Sequence, residues 1–366
     1  MLKLSFVGDI ACDRPFLKAA KKDGKYDFKG AFRTESVFAG SDYVVGNLES
    51  CFGGANFGKK PYHYSAPDSL CDAMRDVGFN IVSTANNHCL DEGVEGLRRT
   101  LDVLDEYGIA YTGTFRSKDD SRYLIVEKNG VKIAFYSLTY SVNQTYEASL
   151  CKDPIQHVNL LNCSNKKFSQ NALIRWWQTY LRPELAKSYL RLKAGTIIPM
   201  RVDKLTDGSI KEEWLATVDS HIKEARSNAD VLVILLHIGG QFNTEPGDYS
   251  KFMVDRLCGL GADLIIGHHP HTLQRIERRG ETIVAYSLGG YCLSPSADYL
   301  VRESLPEYSA ALHVVIGEDK KISDCSCTIL KSVEDDDLFV HVVEAEKDSD
   351  KVQIVRDRLG TDVRIV

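Results

Sequence analysis

Short apolar runs that stop at Asp, Glu, Asn or His recur along this 366-residue chain, and they limit its fold more than any other feature. Leu2–Val7 ends in Gly8-Asp9, and Tyr43–Val45 ends in Gly46-Asn47-Leu48-Glu49. Asn80–Thr84 leads into Ala85-Asn86-Asn87-His88, with Asp91 three residues on. Val231–Leu236 precedes His237-Ile238-Gly239, Asp263–Ile266 precedes Gly267-His268-His269-Pro270-His271, and Thr282–Ser287 precedes Leu288-Gly289-Gly290. Val131–Leu138 and Ala311–Ile316 have the same β-rich character. Runs this short, bounded by glycine and polar clusters, read as buried strands.

Between several of these runs the apolar residues switch to a helical period. Ser69–Val77 places Leu70, Ala73, Met74 and Val77 on one stripe, and Val94–Tyr107 does so with Leu97, Leu101 and Leu104. Trp214–Arg226 and Tyr249–Leu260 repeat the pattern, and Gly78, Gly108 and Gly261 stand where a left-handed C-terminal cap favours glycine. Strands alternating with helices predict an α/β core around a largely buried sheet. Loops at the carboxyl ends of such strands converge on one edge, so the polar clusters are expected to meet there.

Two segments depart from the rhythm. Gln144–Gly208 is rich in Asn, Ser and Lys and holds one long helical stretch, Gln170–Lys193, with Trp176-Trp177 read as packing residues. It is expected to be an insertion over a core domain spanning 1–316. Residues 317–366 read as a short C-terminal extension, with an acidic knot at Glu334–Asp337 and β-like runs at Val340–Val343 and Val352–Val355.

The composition excludes several classes. Hydrophobic residues make up 43%, enough for a real core, and 45 basic against 51 acidic residues give −6, which argues against a nucleic-acid partner. There is no N-terminal charged-then-apolar signal and no run long enough to span a bilayer, so a cytoplasmic location is expected. The ten cysteines are scattered singly and read as free, mostly buried thiols. Cys325 and Cys327 alternate along one strand, and Cys12, Cys51 and Cys89 each lie within three residues of a proposed site residue.

Carboxylate, amide and imidazole groups gathered from five loops suit a divalent first-row metal or a metal pair, with Mn, Zn or Fe the expected ions at one or two per chain. Two such ions can clamp both the attacking and the leaving oxygen of a displacement.

The ordered series Val7-Gly8-Asp9, Gly46-Asn47-Leu48-Glu49, Ala85-Asn86-Asn87-His88, His237 with Gly239, Gly267-His268-His269-Pro270-His271 and Tyr286-Ser287-Leu288-Gly289 resembles that of CapA-type poly-γ-glutamate (capsule) biosynthesis proteins. That family sits within the calcineurin-like metallophosphatase superfamily, and the resemblance covers about 1–140 and 210–316. It implies a four-layer αββα sandwich. It also implies Asp9, Glu49, Asn87, His237, His269 and His271 as metal ligands, and His88 as the acid that protonates the leaving group, with Asp9 and Glu49 sharing the catalytic site. His269 is preferred to His268, which reads as structural, because the pattern is His-Pro-His after a variable residue. Lys60, Tyr62 and His63 resemble a basic-aromatic segment that touches substrate, and Asn47 joins them as a substrate-binding candidate. Three positions depart from the pattern: Ala11 in place of a first-motif histidine, Gln241 in place of an acid, and Gly290 in place of an asparagine. The first leaves one metal position with fewer ligands. His157, His221, His313 and His341 lack a partner cluster and read as structural.

The expected function is a metal-dependent hydrolase of phosphoesterase type in capsule or envelope polymer metabolism. Its substrate would be an anionic polymer, a peptide or a phosphoester, and a polymer-synthase complex is an expected partner. Two alternatives remain. One is a metal-poor enzyme that transfers protons on a peptide substrate, in amide ligation or epimerisation. The other is a non-catalytic subunit of a polymer synthase.

Overall fold

The computed structural model describes residues 1–54, 63–143, 154–161, 203–206, 210–346 and 349–366. In chain order the elements begin with β1 (Leu2–Ile10), α1 (Arg14–Ala19), β2 (Lys21–Lys22), β3 (Lys25–Tyr26), β4 (Tyr43–Leu48) and α2 (Leu70–Asp76). Next come β5 (Ile81–Ser83), α3 (Gly93–Glu106), β6 (Ala110–Thr112), β7 (Leu124–Lys128) and β8 (Val131–Thr139). After the insertion follow α4 (Glu212–Ser227), β9 (Val231–His237), α5 (Asp248–Gly259), β10 (Leu264–His268), β11 (Ile276–Arg279), β12 (Thr282–Ala285) and β13 (Gly290–Cys292). The chain ends with β14 (Tyr308–Ile316), β15 (Ile322–Glu334), β16 (Val340–Glu344), α6 (Asp350–Leu359) and β17 (Arg364–Ile365).

The strands build two large sheets. The first runs β16-β15-β14-β1-β4-β5-β6, with β13 also paired to β1 and β17 to β15; the second runs β11-β12-β10-β9-β8-β7. Leu2, Leu4, Phe6, Val45 and Ile81 from the first sheet pack against Ile133, Phe135, Val233 and Ile266 from the second. The other face of the first sheet packs on Leu70, Met74, Leu97 and Leu104 of α2 and α3. The outer face of the second packs on Leu215, Ile222, Met253 and Leu257 of α4 and α5. Three apolar layers between two sheets and two sets of helices make a four-layer αββα sandwich.

The period of two along each strand decides what faces the space between the sheets. Val45 lies in that inner layer, so Asn47 and Glu49 continue the same face. Val231, Val233 and Leu235 do the same for His237, and Leu264 and Ile266 for His268. Asp9 follows a different rule. Phe6 pairs with Val45 but Asp9 pairs with Asn47, so β1 spends three residues where β4 spends two. This irregularity turns Asp9 to the inner face, where strict alternation from Phe6 would point it outward. Gly8 sits at the irregularity because a Cβ there would lie 1.8 Å from the carbonyl oxygen of Gly289.

The C-terminal region corrects the sequence reading twice. Residues 317–366 are not an appendage: β15 pairs along the length of β14, β16 and β17 pair with β15, and the boundary expected at 316/317 falls inside a hairpin. Val352–Val355, read as β-like, lies in helix α6. The Ser349 hydroxyl caps that helix by accepting from Val352 N, and Val352, Val355 and Leu359 bury one face of it. Cap and packing outweigh the β preference of two valines.

The insertion is described only near its two ends, and Gln170–Lys193 with Trp176-Trp177 lies outside the described residues. Its outgoing end stays close to the core, where Leu161 N donates to Thr139 O at 2.9 Å. Its returning end is held by Asp203, whose buried carboxylate accepts from Gly247 N, Ser250 N and Ser250 Oγ at 2.6–2.9 Å at the start of α5. Among the described residues no helix is long and apolar enough to cross a membrane.

Candidate metal centre

Asp9, Glu49, His237, His268 and His271 are all 2% exposed or less, so the cluster is desolvated before any ligand arrives. Asp9 Oδ1 accepts from Asn47 Nδ2 at 2.8 Å, and Asp9 Oδ2 accepts from His269 N at 3.1 Å. His271 Nδ1 stands 3.0 Å from Asp9 Oδ2, and His268 Nδ1 stands 3.6 Å from Asp9 Oδ1. Burial alone would raise the Asp9 carboxyl. The 3.0 Å approach of His271 Nδ1, with His268 and His237 beside it, overrides burial and holds the group well below the ordinary carboxylate range.

Glu49 behaves oppositely. Neither of its carboxylate oxygens has a hydrogen-bond partner, and burial followed by the charges of Asp9 and Asp91 pushes its carboxyl well up. Its oxygens lie 3.6 Å from His237 Nε2 and 3.7 Å from His271 Nδ1. Glu49, His269 and His271 each bring a donor atom within 4.8 Å of the others. His268 and His271 lack a well-aligned hydrogen bond at either ring nitrogen, although His271 Nδ1 is within ion-pair distance of Asp9. Burial lowers His268 to about 4 and His269 to about 3, and drives His237 well down as well. The rings of His237, His268 and His269 are therefore neutral, the state in which an imidazole ligates metal. A buried carboxylate and several imidazoles without partners are costly groups to leave unsatisfied. They are the donor set a divalent cation requires, and the residues present fit one.

The two asparagines set the tautomer of His237. A carboxylate only accepts, so the Asn47 atom facing Asp9 is the amide nitrogen, and the same nitrogen donates to His237 Nδ1 at 3.2 Å. His237 thus carries its proton on Nε2, which donates to Asn87 Oδ1 at 2.8 Å. Ser83 Oγ donates to Asn47 Oδ1 at 2.7 Å and fixes the amide from behind. Asn47, read from sequence as a substrate contact, is 0% exposed, and its amide is engaged by Asp9, His237 and Ser83.

His88 stands at the other side of Glu49, its Nε2 4.0 Å from Glu49 Oε1. Its Nδ1 donates to Asp91 Oδ2 at 2.6 Å, and its ring stacks on Tyr64 at 4.1 Å and 15°. Tyr64 N donates to the same Asp91 oxygen at 2.8 Å. Asn143, beside the start of the insertion, donates its backbone N–H to Asn87 O at 2.7 Å and places Nδ2 3.5 Å from both ring nitrogens of His88.

Sequence reasoning took His268 as structural, placed Tyr64 only within a basic-aromatic segment, and left Asp91 and Asn143 without roles. Strand parity with Ile266 pointed to His268, and the spacing of three from His88 pointed to Asp91. Asn143 had no local signal. Lys60 and Tyr62 lie outside the described residues, and His63 is half-buried one residue before Tyr64. Burial raises the thiols of Cys12 and Cys51 well above their ordinary range, and Cys51 Sγ donates to His88 O at 3.2 Å, so neither is a thiolate donor. Where the resemblance would place a histidine, Ala11 packs among Tyr64, Phe242, Leu293 and Leu300, an apolar wall. Gly290 pairs with Asp9 across β1 and β13, and a Cβ there would come within 2.2 Å of buried Leu293.

The family model described as "Bacterial capsule synthesis protein PGA_cap" matches residues 3–292. The chain belongs to this family. It is similar to the PGA biosynthesis protein CapA of Bacillus subtilis (strain 168), at 27% identity over 297 residues covering 80% of this chain and 63% of the relative. It is also similar to the capsule biosynthesis protein CapA of Bacillus anthracis, at 25% identity over 297 residues covering 79% and 59%. The chain thus spans about three-fifths of the length of these two relatives. Among solved structures, a 5′-nucleotidase precursor from Thermus thermophilus aligns with a TM-score of 0.42 and 12% identity, over 98% of this chain and 57% of that one.

Proposed function

We propose that this PGA_cap protein is a metal-dependent hydrolase of phosphoester type, acting on an anionic substrate in capsule or envelope polymer metabolism. The observation that carries the reading is Glu49, buried with both oxygens unpartnered beside the ring nitrogens of His269 and His271. Asp9, Glu49, His269 and His271 would hold a divalent cation, with His268 close enough to join them; Asn87 and His237, bonded to each other through Nε2, would ligate only with that bond given up. Such an ion supplies Lewis acidity toward a phosphoryl oxygen and toward a water. The capsule setting comes from the family, and the relatives' names support it.

The chain's own residues define the rest of the chemistry. Asp9 stays ionised and offers a charged oxygen. Neutral His237 is held in one tautomer by Asn47. With Nδ1 of His88 committed to Asp91, its Nε2 is the nitrogen left to exchange a proton with a bound group, on the side of the ring facing Glu49. That arrangement suits protonation of a leaving oxygen. The apolar surroundings of the cluster strengthen each of these interactions by excluding water.

The test is elemental analysis of the purified chain together with turnover of an activated phosphodiester such as bis(p-nitrophenyl) phosphate with added Mn²⁺. At least one ion per chain and hydrolysis abolished by His88→Ala are expected. Bound metal without hydrolysis would favour the synthase-subunit alternative, and absence of both would favour the proton-transfer alternative.

A further inference from the structure

The loop that carries His269 and His271 is backbone-strained. His269 has φ +95° and His271 φ +53°, and two residues packed nearby, Phe242 at +61° and Leu305 at +57°, share the left-handed region. Residues with side chains persist there only when their surroundings over-determine the conformation. The C-terminal helix supplies the anchor. Arg358 of α6 donates from Nη1 to Thr272 Oγ1 at 2.9 Å and to Ser304 O at 2.8 Å, with Leu273 O at 3.5 Å. Thr272 directly follows His271, and its hydroxyl donates to Ser304 O at 2.6 Å. Ser304 Oγ donates to Phe242 O at 2.7 Å, and Phe242 N donates to Pro270 O at 2.7 Å, which closes the chain of bonds between the two histidines.

We propose that Arg358 is a positioning residue for the metal-ligand loop: one guanidinium from the C-terminal helix locks Thr272, Ser304 and, through Phe242, Pro270, so that the imidazoles of His269 and His271 are held against Asp9 and Glu49. Arg358 lies outside residues 3–292, which the family model covers, so the ligand loop depends on a segment beyond the motif-bearing core. Helix α6 is well placed for this task, because Val352, Val355 and Leu359 are buried in the same layer as Leu273 and Leu305. All of these contacts come from Nη1, whose position is fixed by the planar guanidinium, whereas a lysine ammonium would have to reach the same acceptors on a freely rotating stem.

The inference rests on the metal-site reading above, and the experiment separates the two. In the full chain, Arg358→Met keeps the length of the side chain and removes its donors, Arg358→Lys is the conservative variant, and Asp357→Ala on the exposed side of α6 is the control. The first readout is the imidazole ¹⁵N spectrum of the metal-free protein. The resonances of His269 and His271 are expected to move in Arg358→Met, return part of the way in Arg358→Lys, and stay in place in Asp357→Ala, with His313 unmoved in all three. The second is titration with Co²⁺ alone, in which Arg358→Met is expected to weaken binding roughly 10–100-fold and change the visible absorption of the bound ion. Unmoved histidine resonances, or an unchanged cobalt affinity and spectrum, overturn the role of Arg358. Failure of the wild-type chain to bind Co²⁺ overturns the metal reading, and the nitrogen spectrum still decides Arg358. If Arg358→Met does not fold, Thr272→Val removes the hydroxyl at the centre of the network and is judged by the same two readouts.

Discussion

The side-chain amide of Asn47 donates to Nδ1 of His237 across 3.2 Å, and in doing so fixes which nitrogen of that ring carries the proton. The same amide donates to Asp9 and accepts from Ser83. Removing it frees the ring and leaves Asp9 Oδ1 and the Ser83 hydroxyl without this partner. Asn47→Ala is therefore expected to weaken Mn²⁺ binding roughly 10–100-fold, as loss of a ligand-orienting hydrogen bond does elsewhere. It should also cost about 1–3 kcal/mol of stability from the buried groups left behind. Calorimetric titration and urea unfolding read the two effects separately. A variant with native metal affinity would show that Asn47 does not orient the ligands.

His88 and His271 both border Glu49, yet their surroundings assign them different tasks. His88 is fully engaged on one edge by Asp91 and on one face by Tyr64, while His271 has no well-aligned bond at either nitrogen. His88→Ala should keep metal and lose roughly 10²–10⁴-fold in turnover. His271→Ala should lose metal and turnover together. Equal metal content in the two variants would falsify this division.

The strands and helices of the core were legible in the sequence because their apolar period is strong. β9 differs from the expected Val231–Leu236 by one residue, and α3 from Val94–Tyr107 by one at each end. The convergence of the polar clusters was legible too, since carboxyl strand ends share one edge. What stayed hidden depends on contacts far apart in the chain. The inward turn of Asp9 comes from an irregularity in β1 that alternation would have placed the other way. The burial of Asn47 needs the second sheet above it. The tail looked detached because no motif marks it, yet β14 leaves an edge that only β15 fills.

His313 gives a pH dependence away from the cluster. Its Nδ1 meets Ser5 Oγ at 2.8 Å and its Nε2 meets Thr328 Oγ1 at 3.1 Å, and burial, helped by the charge of Lys3, lowers it to about 4. The folded chain thus prefers the neutral ring, and the unfolded chain takes up the proton first as pH falls below about 6.5. Its contribution is complete above that pH and is lost between about 6.5 and about 4. It amounts to at most about 3 kcal/mol, since each tenfold difference in proton affinity between the two states is worth about 1.4 kcal/mol. In urea titrations at pH 7.5 and 4.5, His313→Gln should lose less stability on acidification than the wild-type chain. A parallel loss in both proteins would place the acid sensitivity elsewhere.

Both described ends of the insertion touch the site or its supports. Asn143, one residue before it begins, bonds to Asn87 and places its amide beside His88. Asp203, near its return, caps the start of α5 close behind Gly239, where a Cβ would lie 3.8 Å from the Asp203 carboxylate. A long segment rooted at two points around a site is more often a binding loop than a spacer. Its sequence carries Lys166, Lys167, Arg175 and Arg182, groups suited to an anionic polymer or phosphoester. Replacing Asn165–Lys193 by a short glycine-serine linker leaves Asn143, Leu161 and Asp203 in the chain. That variant is expected to bind Mn²⁺ as the wild type does and to hydrolyse a small activated phosphodiester at a similar kcat. On an anionic polymer substrate its KM should rise at least tenfold. An unchanged KM on the polymer, with a change in oligomeric state by light scattering, would assign the segment to assembly instead of substrate.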